Sequence, residues 1–263
     1  MPENQAFQQH INKKSFYEDH IFHERHMNSC PIGCKGCAVS AKTVGKGAID
    51  YHDLYKTYQE ASELGVSMQI TKVEGYDPAF VKYADDENIS FAQSVKDAID
   101  LGHTIITPIC TTGSWKSEQT QWQIDELGKL EPKYREYTYP SGKKGDAFVL
   151  SVPREINPFA KNYDFNDHLV KVVRDIEALT KNGKLEVLIY YNSKLPEDIK
   201  TARAIKDELT NALSESAKKN ADLLITDFNS ETLPESCYRY DNSVLLSDKG
   251  FAHIDPVTMD WQV

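Results

Sequence analysis

Leu185-Glu186-Val187-Leu188-Ile189-Tyr190-Tyr191 is an apolar, β-branched run interrupted by a single charge. A run of this length without a polar face reads as a strand buried on both sides, the form that strands take in a parallel sheet covered by helices. Its flanks support that reading. Upstream, Leu169, Val172, Val173, Ile176 and Leu179 recur at helical spacing and Gly183 follows as a stop signal. Downstream, Pro196 sits where a first helical turn tolerates it, and Ile199, Ala202, Ile205, Leu209 and Leu213 form the next stripe. A second apolar run over residues 222–228 then completes helix–strand–helix–strand, the sequence form of an α/β domain with a parallel sheet.

The same alternation extends toward the N-terminus. Residues 50–64 predict a helix with Asp50 as its cap, a stripe of Leu54, Tyr58, Ala61 and Leu64, and Gly65 as its stop. Strands are predicted over 66–71 and 103–109. Between them lies a helix opened by Ser90 and Gln93 as a capping box and closed by Gly102. A helix over 117–130 leads into an inserted hairpin, residues 133–152, that turns at Pro140-Ser141-Gly142 and ends in a strand over 147–152. A first strand around residues 20–27 follows from context, because His20-Ile21-Phe22-His23-Glu24-Arg25-His26 has little apolar content. A final hairpin over 243–254 turns at Asp248-Lys249-Gly250 and is expected to act as a lid or plug. The expected organisation is an extension over 1–19, a main domain over 20–230 and a hairpin tail over 231–263.

Composition bounds the function. The 263 residues are 40% hydrophobic and 27% charged, enough for one sizeable core. Thirty basic against forty acidic residues leave a formal charge of -10, which gives no support to bulk nucleic-acid binding. No apolar run approaches the ~18 residues of a membrane span, and residues 1–14 lack the apolar core of a signal peptide. A cytoplasmic protein without membrane attachment is expected.

The five cysteines are unevenly spaced. Three lie within Cys30-Pro31-Ile32-Gly33-Cys34-Lys35-Gly36-Cys37, with Cys110 and Cys237 far away, which is unlike a disulfide framework. Three thiolates spaced C-x-x-x-C-x-x-C on one tight loop can ligate three irons of a four-iron four-sulfur (4Fe-4S) cluster and leave the fourth open to a non-protein ligand. Gly33 and Gly36 let the loop wrap closely. The alternative is structural zinc, with His23 or His26 as the fourth ligand, although no second C-x-x-C knuckle is present.

This cysteine segment resembles the signature of the radical S-adenosylmethionine superfamily, in which it follows the first strand of a partial (β/α)6 TIM-type barrel. The resemblance implies that fold with a short C-terminal β-hairpin extension, an oxygen-sensitive cluster on Cys30, Cys34 and Cys37, and S-adenosylmethionine as second cofactor. It also implies reductive cleavage to a 5′-deoxyadenosyl radical that abstracts hydrogen from substrate. After the second strand the family has a Gly-Gly-Glu-Pro type turn that holds the methionine amino group. Here Gly75, Tyr76, Asp77 and Pro78 match it with Asp for Glu, and Glu74 is a rival carboxylate. Ser151 and Arg154 match the family's ribose and carboxylate contacts near the fourth strand.

Two departures mark the chain as divergent. Gly36 stands where the family usually has an aromatic residue beside the adenine, and the fifth strand, residues 185–191, lacks the family's glycine-rich pattern. Cys110, Asn192 and Asp227, each at the expected end of a strand, are candidate substrate contacts, and no side chain is assigned as a catalytic residue. Beyond Cys30, Cys34 and Cys37 only two cysteines remain, too few for an all-protein auxiliary cluster. The expected partners are a small-molecule or peptide substrate and a low-potential electron donor such as flavodoxin or ferredoxin. The competing classes are a zinc-binding non-catalytic module and a degenerate member that holds a cluster without radical activity. Under the cluster reading, Cys34→Ala abolishes iron–sulfur incorporation and S-adenosylmethionine cleavage together, read by iron analysis and product assay. A fully active variant contradicts that reading.

Overall fold

The computed structural model describes residues 12–27, 47–72, 76–114, 118–138, 142, 144–146, 148–152, 165–227, 242–254 and 261–262. The chain opens with α1 (Lys13–Asp19) and β1 (Ile21–Glu24), then α2 (Tyr51–Glu63), β2 (Gln69–Thr71) and a 3-10 turn at Pro78–Phe80. Next come α3 (Phe91–Asp100), β3 (Thr104–Ile105), β4 (Ile109–Thr111) and α4 (Glu118–Lys129). β5 (Glu136–Thr138) and β6 (Lys144–Asp146) form the inserted hairpin, followed by β7 (Phe148–Val152), α5 (Phe165–Leu179) and β8 (Leu185–Tyr191). The chain continues through α6 (Asp198–Ala212), α7 (Glu215–Asn220), β9 (Ala221–Asp227), β10 (Ser243–Ser247), β11 (Gly250–Ile254) and β12 (Trp261–Gln262).

The result is a mixed α/β fold with parallel sheets. One sheet runs β12-β11-β10-β1-β2-β3, in which β10, β1, β2 and β3 are mutually parallel. The other runs β4-β7-β8-β9 and is parallel throughout. The single strand expected over 103–109 is in fact two short pieces, β3 and β4, one in each sheet. Pro108 has no N–H to give to a ladder and lies in the break between them. Because neighbouring strands run the same way, the C-terminal ends of β1, β2 and β10 lie along one edge of their sheet, and those of β4, β7, β8 and β9 along one edge of theirs.

Packing explains the pattern. On β8 Leu185, Val187 and Ile189 are buried while Glu186, Leu188 and Tyr190 are half-buried, so the strand has a helix-covered face and a more open one. Val172, Ile176 and Leu179 of α5 and Ala202, Ile205 and Leu209 of α6 share a hydrophobic core with Val187 and Ile189. Leu54, Tyr58 and Ala61 of α2 and Phe91, Val95 and Ala98 of α3 belong to the same core as Phe22 and Ile70.

Several expectations need correction. Asp50 occupies the N-cap position of α2 but its side chain makes no cap hydrogen bond; Asp85 accepts from the Tyr51 and His52 amides instead, at 2.7 and 3.0 Å. Ser90 does cap α3, accepting from Gln93 N at 3.2 Å, while the Gln93 side chain turns to Asp97 and leaves the box half-formed. The terminal hairpin is not a lid, since β10 is fully buried and pairs in parallel with β1. Within the extension over 1–19, α1 packs on the sheet through Phe16, whose ring meets Phe22 and Phe251 edge-on at 5.6 and 5.1 Å.

α4 and α5 approach closely at Gly128, where a Cβ would stand 2.4 Å from the Ala178 carbonyl oxygen. Backbone cannot withdraw cheaply, so Gly128→Ala is expected to cost about 1–3 kcal/mol despite alanine's better helix propensity. Gly65→Ala, at φ +71° but in open space, should cost only ~1 kcal/mol. Urea midpoints of the two variants decide this, and a neutral Gly128→Ala contradicts the close approach.

Candidate functional site

The ends of two parallel strands of one sheet, β1 and β2, and of β4 from the other sheet supply the site's residues. β1 runs out through Glu24 and His26 to Met27, β2 through Thr71 to Lys72, and β4 through Thr111 to Ser114. Met27 forms an antiparallel bridge with Ala48, and Ile49 N donates to the His26 carbonyl at 3.0 Å. These two contacts hold the ends of the cysteine segment together at the C-terminal end of β1. Cys30, Cys34 and Cys37 themselves lie outside the described residues, as do Glu74, Gly75 and Arg154.

Beneath that closure is a cluster that sequence reasoning missed. Glu24, His26, Tyr58 and Lys72 are fully buried and Tyr83 nearly so. Lys72 Nζ donates to Glu24 Oε2 at 2.9 Å, to Tyr58 OH at 2.6 Å and to the Ser94 carbonyl at 3.0 Å. Tyr58 OH donates to Glu24 Oε1 at 2.5 Å. His26 Nε2 meets Glu24 Oε2 at 2.7 Å and its Nδ1 meets Tyr83 OH at 2.9 Å. Burial works against the Glu24 carboxylate, but the Lys72 ammonium and the His26 hydrogen bond outweigh it and hold the group down at about 2. Burial also lowers Lys72 and His26, in each case against the pull of Glu24. We assign an ionised Glu24, a protonated Lys72 and a neutral His26, the state in which every contact has one donor and one acceptor.

This cluster bears on the metal alternatives. Both ring nitrogens of His26 are engaged by protein groups, and His23 is buried with Nε2 2.9 Å from Ser243 Oγ. Among the described residues no group of three or more His, Cys, Asp or Glu side chains is placed to hold a metal ion. The signal that sequence offered was the charge in β1 and Lys72 at the end of an apolar strand. Charges at strand ends inside a covered sheet must find one another.

Tyr76, Asp77 and Pro78 are buried. Tyr76 stacks on His26 with centroids 5.1 Å apart, and its hydroxyl donates to the Lys72 carbonyl. Asp77 accepts four hydrogen bonds, at Oδ1 from Ala79 N (2.9 Å) and Thr111 Oγ1 (2.7 Å), and at Oδ2 from Thr112 N (2.7 Å) and Thr112 Oγ1 (2.8 Å). Burial raises this carboxyl and the four donors oppose the rise. The carboxylate therefore ties the turn after β2 to the end of β4.

On the second sheet Ser151 is buried and in register with Leu188 of β8, and Cys110 is half-buried and in register with Val149 of β7. At the turn after β8, Asp227 Oδ1 accepts from Ser193 N at 3.2 Å and Asn192 Oδ1 accepts from Lys194 N at 3.0 Å.

No protein-family model and no curated protein matches the chain. Among solved structures it is similar to Streptococcus suis SuiB bound to S-adenosylmethionine, at 16% identity and a TM-score of 0.45. SuiB bound to its precursor peptide SuiA gives a TM-score of 0.46 at the same identity. The likeness covers 90% of this chain but 48% and 47% of those chains, so the present sequence spans about half their length. No helix among the described residues is long and apolar enough to cross a membrane.

After β4, Ser114 donates from its amide to Asp175 Oδ2 at 2.7 Å, and its hydroxyl lies 2.5 Å from Asp175 Oδ1 and 2.6 Å from Gln121 Oε1. One hydroxyl proton cannot serve two acceptors, and burial raises the Asp175 carboxyl to about 6. A protonated Asp175 resolves the count by donating to Ser114 Oγ. The stability this contributes is complete below the ordinary value of 3.8 and is lost as pH rises through about 6. Asp175→Asn should therefore remove on the order of 2–3 kcal/mol of pH dependence between pH 4 and 7, measured by denaturant unfolding at each pH. An unchanged profile contradicts the assignment.

Proposed function

We propose that the chain is a radical S-adenosylmethionine enzyme with one 4Fe-4S cluster on Cys30, Cys34 and Cys37. The observation that carries this reading is the C-x-x-x-C-x-x-C spacing on a segment whose two ends are held together at the C-terminal end of a parallel strand. The donor set fits the cluster. Three soft sulfur ligands suit an iron–sulfur cluster, three thiolates would leave its fourth iron for a non-protein ligand, and His26 is already engaged by Glu24 and Tyr83. When bound, the cluster supplies a low-potential electron that cleaves S-adenosylmethionine to methionine and a 5′-deoxyadenosyl radical, which takes a hydrogen atom from substrate.

The chain's own residues bind and orient. Asp77, saturated by four donors, fixes the turn, and Glu74 takes the methionine ammonium alongside the backbone of Gly75, Tyr76 and Pro78. Ser151 meets the ribose and Arg154 the carboxylate, for which its forked donors suit two oxygens. Cys110, Asn192 and Asp227 face the substrate, a small molecule or a peptide.

The fold behind these roles is a partial (β/α)6 barrel over 20–230, in which β3 and β4 act as halves of one strand and join β1 and β2 to β7, β8 and β9. Residues 231–263 contribute the hairpin β10–β11 beside β1. An electron donor of low potential, such as flavodoxin or ferredoxin, reduces the cluster in the cytoplasm. The test is anaerobic reconstitution with iron and sulfide, followed by dithionite and S-adenosylmethionine. About four irons per chain and release of 5′-deoxyadenosine are expected. Tightly held zinc without cleavage favours the structural module, and iron and sulfide without 5′-deoxyadenosine the degenerate member.

A further inference from the structure

Lys72 uses all three of its N–H donors inside the protein, on Glu24 at 2.9 Å, Tyr58 at 2.6 Å and the Ser94 carbonyl at 3.0 Å. Its partners sit at the root of the cysteine segment, and Lys72 itself is the last described residue before the turn at 73–78. Glu24 holds His26, whose carbonyl accepts from Ile49 and closes the segment. Lys72 accepts at its own carbonyl from Tyr76, which stacks on His26. One buried ion pair thus joins the bases of both cofactor segments.

From these contacts we infer that Lys72 is a positioning residue for the cofactor site, its ammonium fixing the base of the cysteine segment against the base of the turn. The geometry of the pair stands by itself; what it positions rests on the function proposed above. Stability alone does not demand the charges, because replacing both members of a buried ion pair by neutral groups of similar volume is often neutral or stabilising. Three directional hydrogen bonds to three different elements fix positions in a way that apolar contact does not. Tyr58 lies in α2 and Ser94 in α3, so the ammonium also references the two strands to the helices that cover them.

The test is the double variant Glu24→Gln/Lys72→Met, which keeps volume and neutrality; Lys72→Met alone strands a buried carboxylate and is expected to unfold. In the cluster-free chain, amide exchange is read at Ile49, bonded to the His26 carbonyl, and at Phe80, bonded to the Asp77 carbonyl, with Ile189 of β8 as reference. The inference predicts exchange at least about tenfold faster at both Ile49 and Phe80, with the urea midpoint and Ile189 unchanged. After reconstitution, iron per chain is retained and the Kd for S-adenosylmethionine rises about tenfold or more, a loss of roughly one hydrogen-bonded contact. Unchanged exchange at both amides, or a change at only one, overturns it. Should the double variant not fold, Tyr58→Phe removes one acceptor of Lys72 and must speed both amides in the same direction, and no effect there overturns the inference. A wild-type chain that takes up no iron sinks the proposed function, while the exchange result still decides whether Lys72 couples the two segments.

Discussion

Glu24 and Lys72 carry full charges into a part of the protein that water does not reach. Each is tolerable only because the other is there, and because Tyr58, His26 and Ser94 satisfy the remaining hydrogen-bonding capacity. This pair constrains the structure around it. β1 must end where Glu24 can reach Lys72, β2 must end where Lys72 can reach Glu24, and α2 and α3 must present Tyr58 and Ser94 to the same ammonium. The cysteine segment follows β1 in the chain and the turn at 73–78 follows β2. A weak strand such as β1, with a histidine and a glutamate among its four residues, is held in a covered sheet by that polar network as well as by Ile21 and Phe22.

The polarity of the sheets does the rest of the assembly. Strand ends of both sheets and the elements that follow them come together, so residues far apart in sequence meet without any local signal. Asp77 reaches Thr111 and Thr112, and Asp227 reaches the turn after Asn192. Ser114 and Asp175 link the segment after β4 to α5. Each of these is a side chain closing a backbone gap between one strand end and the next element, which gives the edge its fixed shape.

Legibility in the sequence followed the physics of each element. β8, α5 and α6 were readable because their apolar periodicity is produced by burial of one face, and the strand over 185–191 appears with the bounds its residues imply. The break between β3 and β4 was not, since a strand passing from one sheet to another keeps its apolar residues and changes only its neighbours. Asp85 capping α2 was hidden because its partners lie more than thirty positions away. α1 was missed because a seven-residue helix offers too few turns for a stripe. Cysteine spacing was the clearest part of the candidate site. Asp77 was readable as a turn residue but not as the acceptor of four protein donors, and Glu24, Tyr58 and Lys72 were not readable as partners, because their meeting depends on the pairing of β1 with β2.

Everything proposed for this chain turns on whether the cysteine segment holds an iron–sulfur cluster with one iron open to S-adenosylmethionine. Electron paramagnetic resonance of the anaerobically reconstituted, dithionite-reduced chain, recorded with and without S-adenosylmethionine, tests it most directly. The expected result is a signal from a reduced 4Fe-4S cluster whose g-values shift when S-adenosylmethionine is added and do not shift with adenosine, which lacks the methionine amino and carboxylate groups. A chain that gives no such signal, or one that S-adenosylmethionine leaves unchanged, contradicts it.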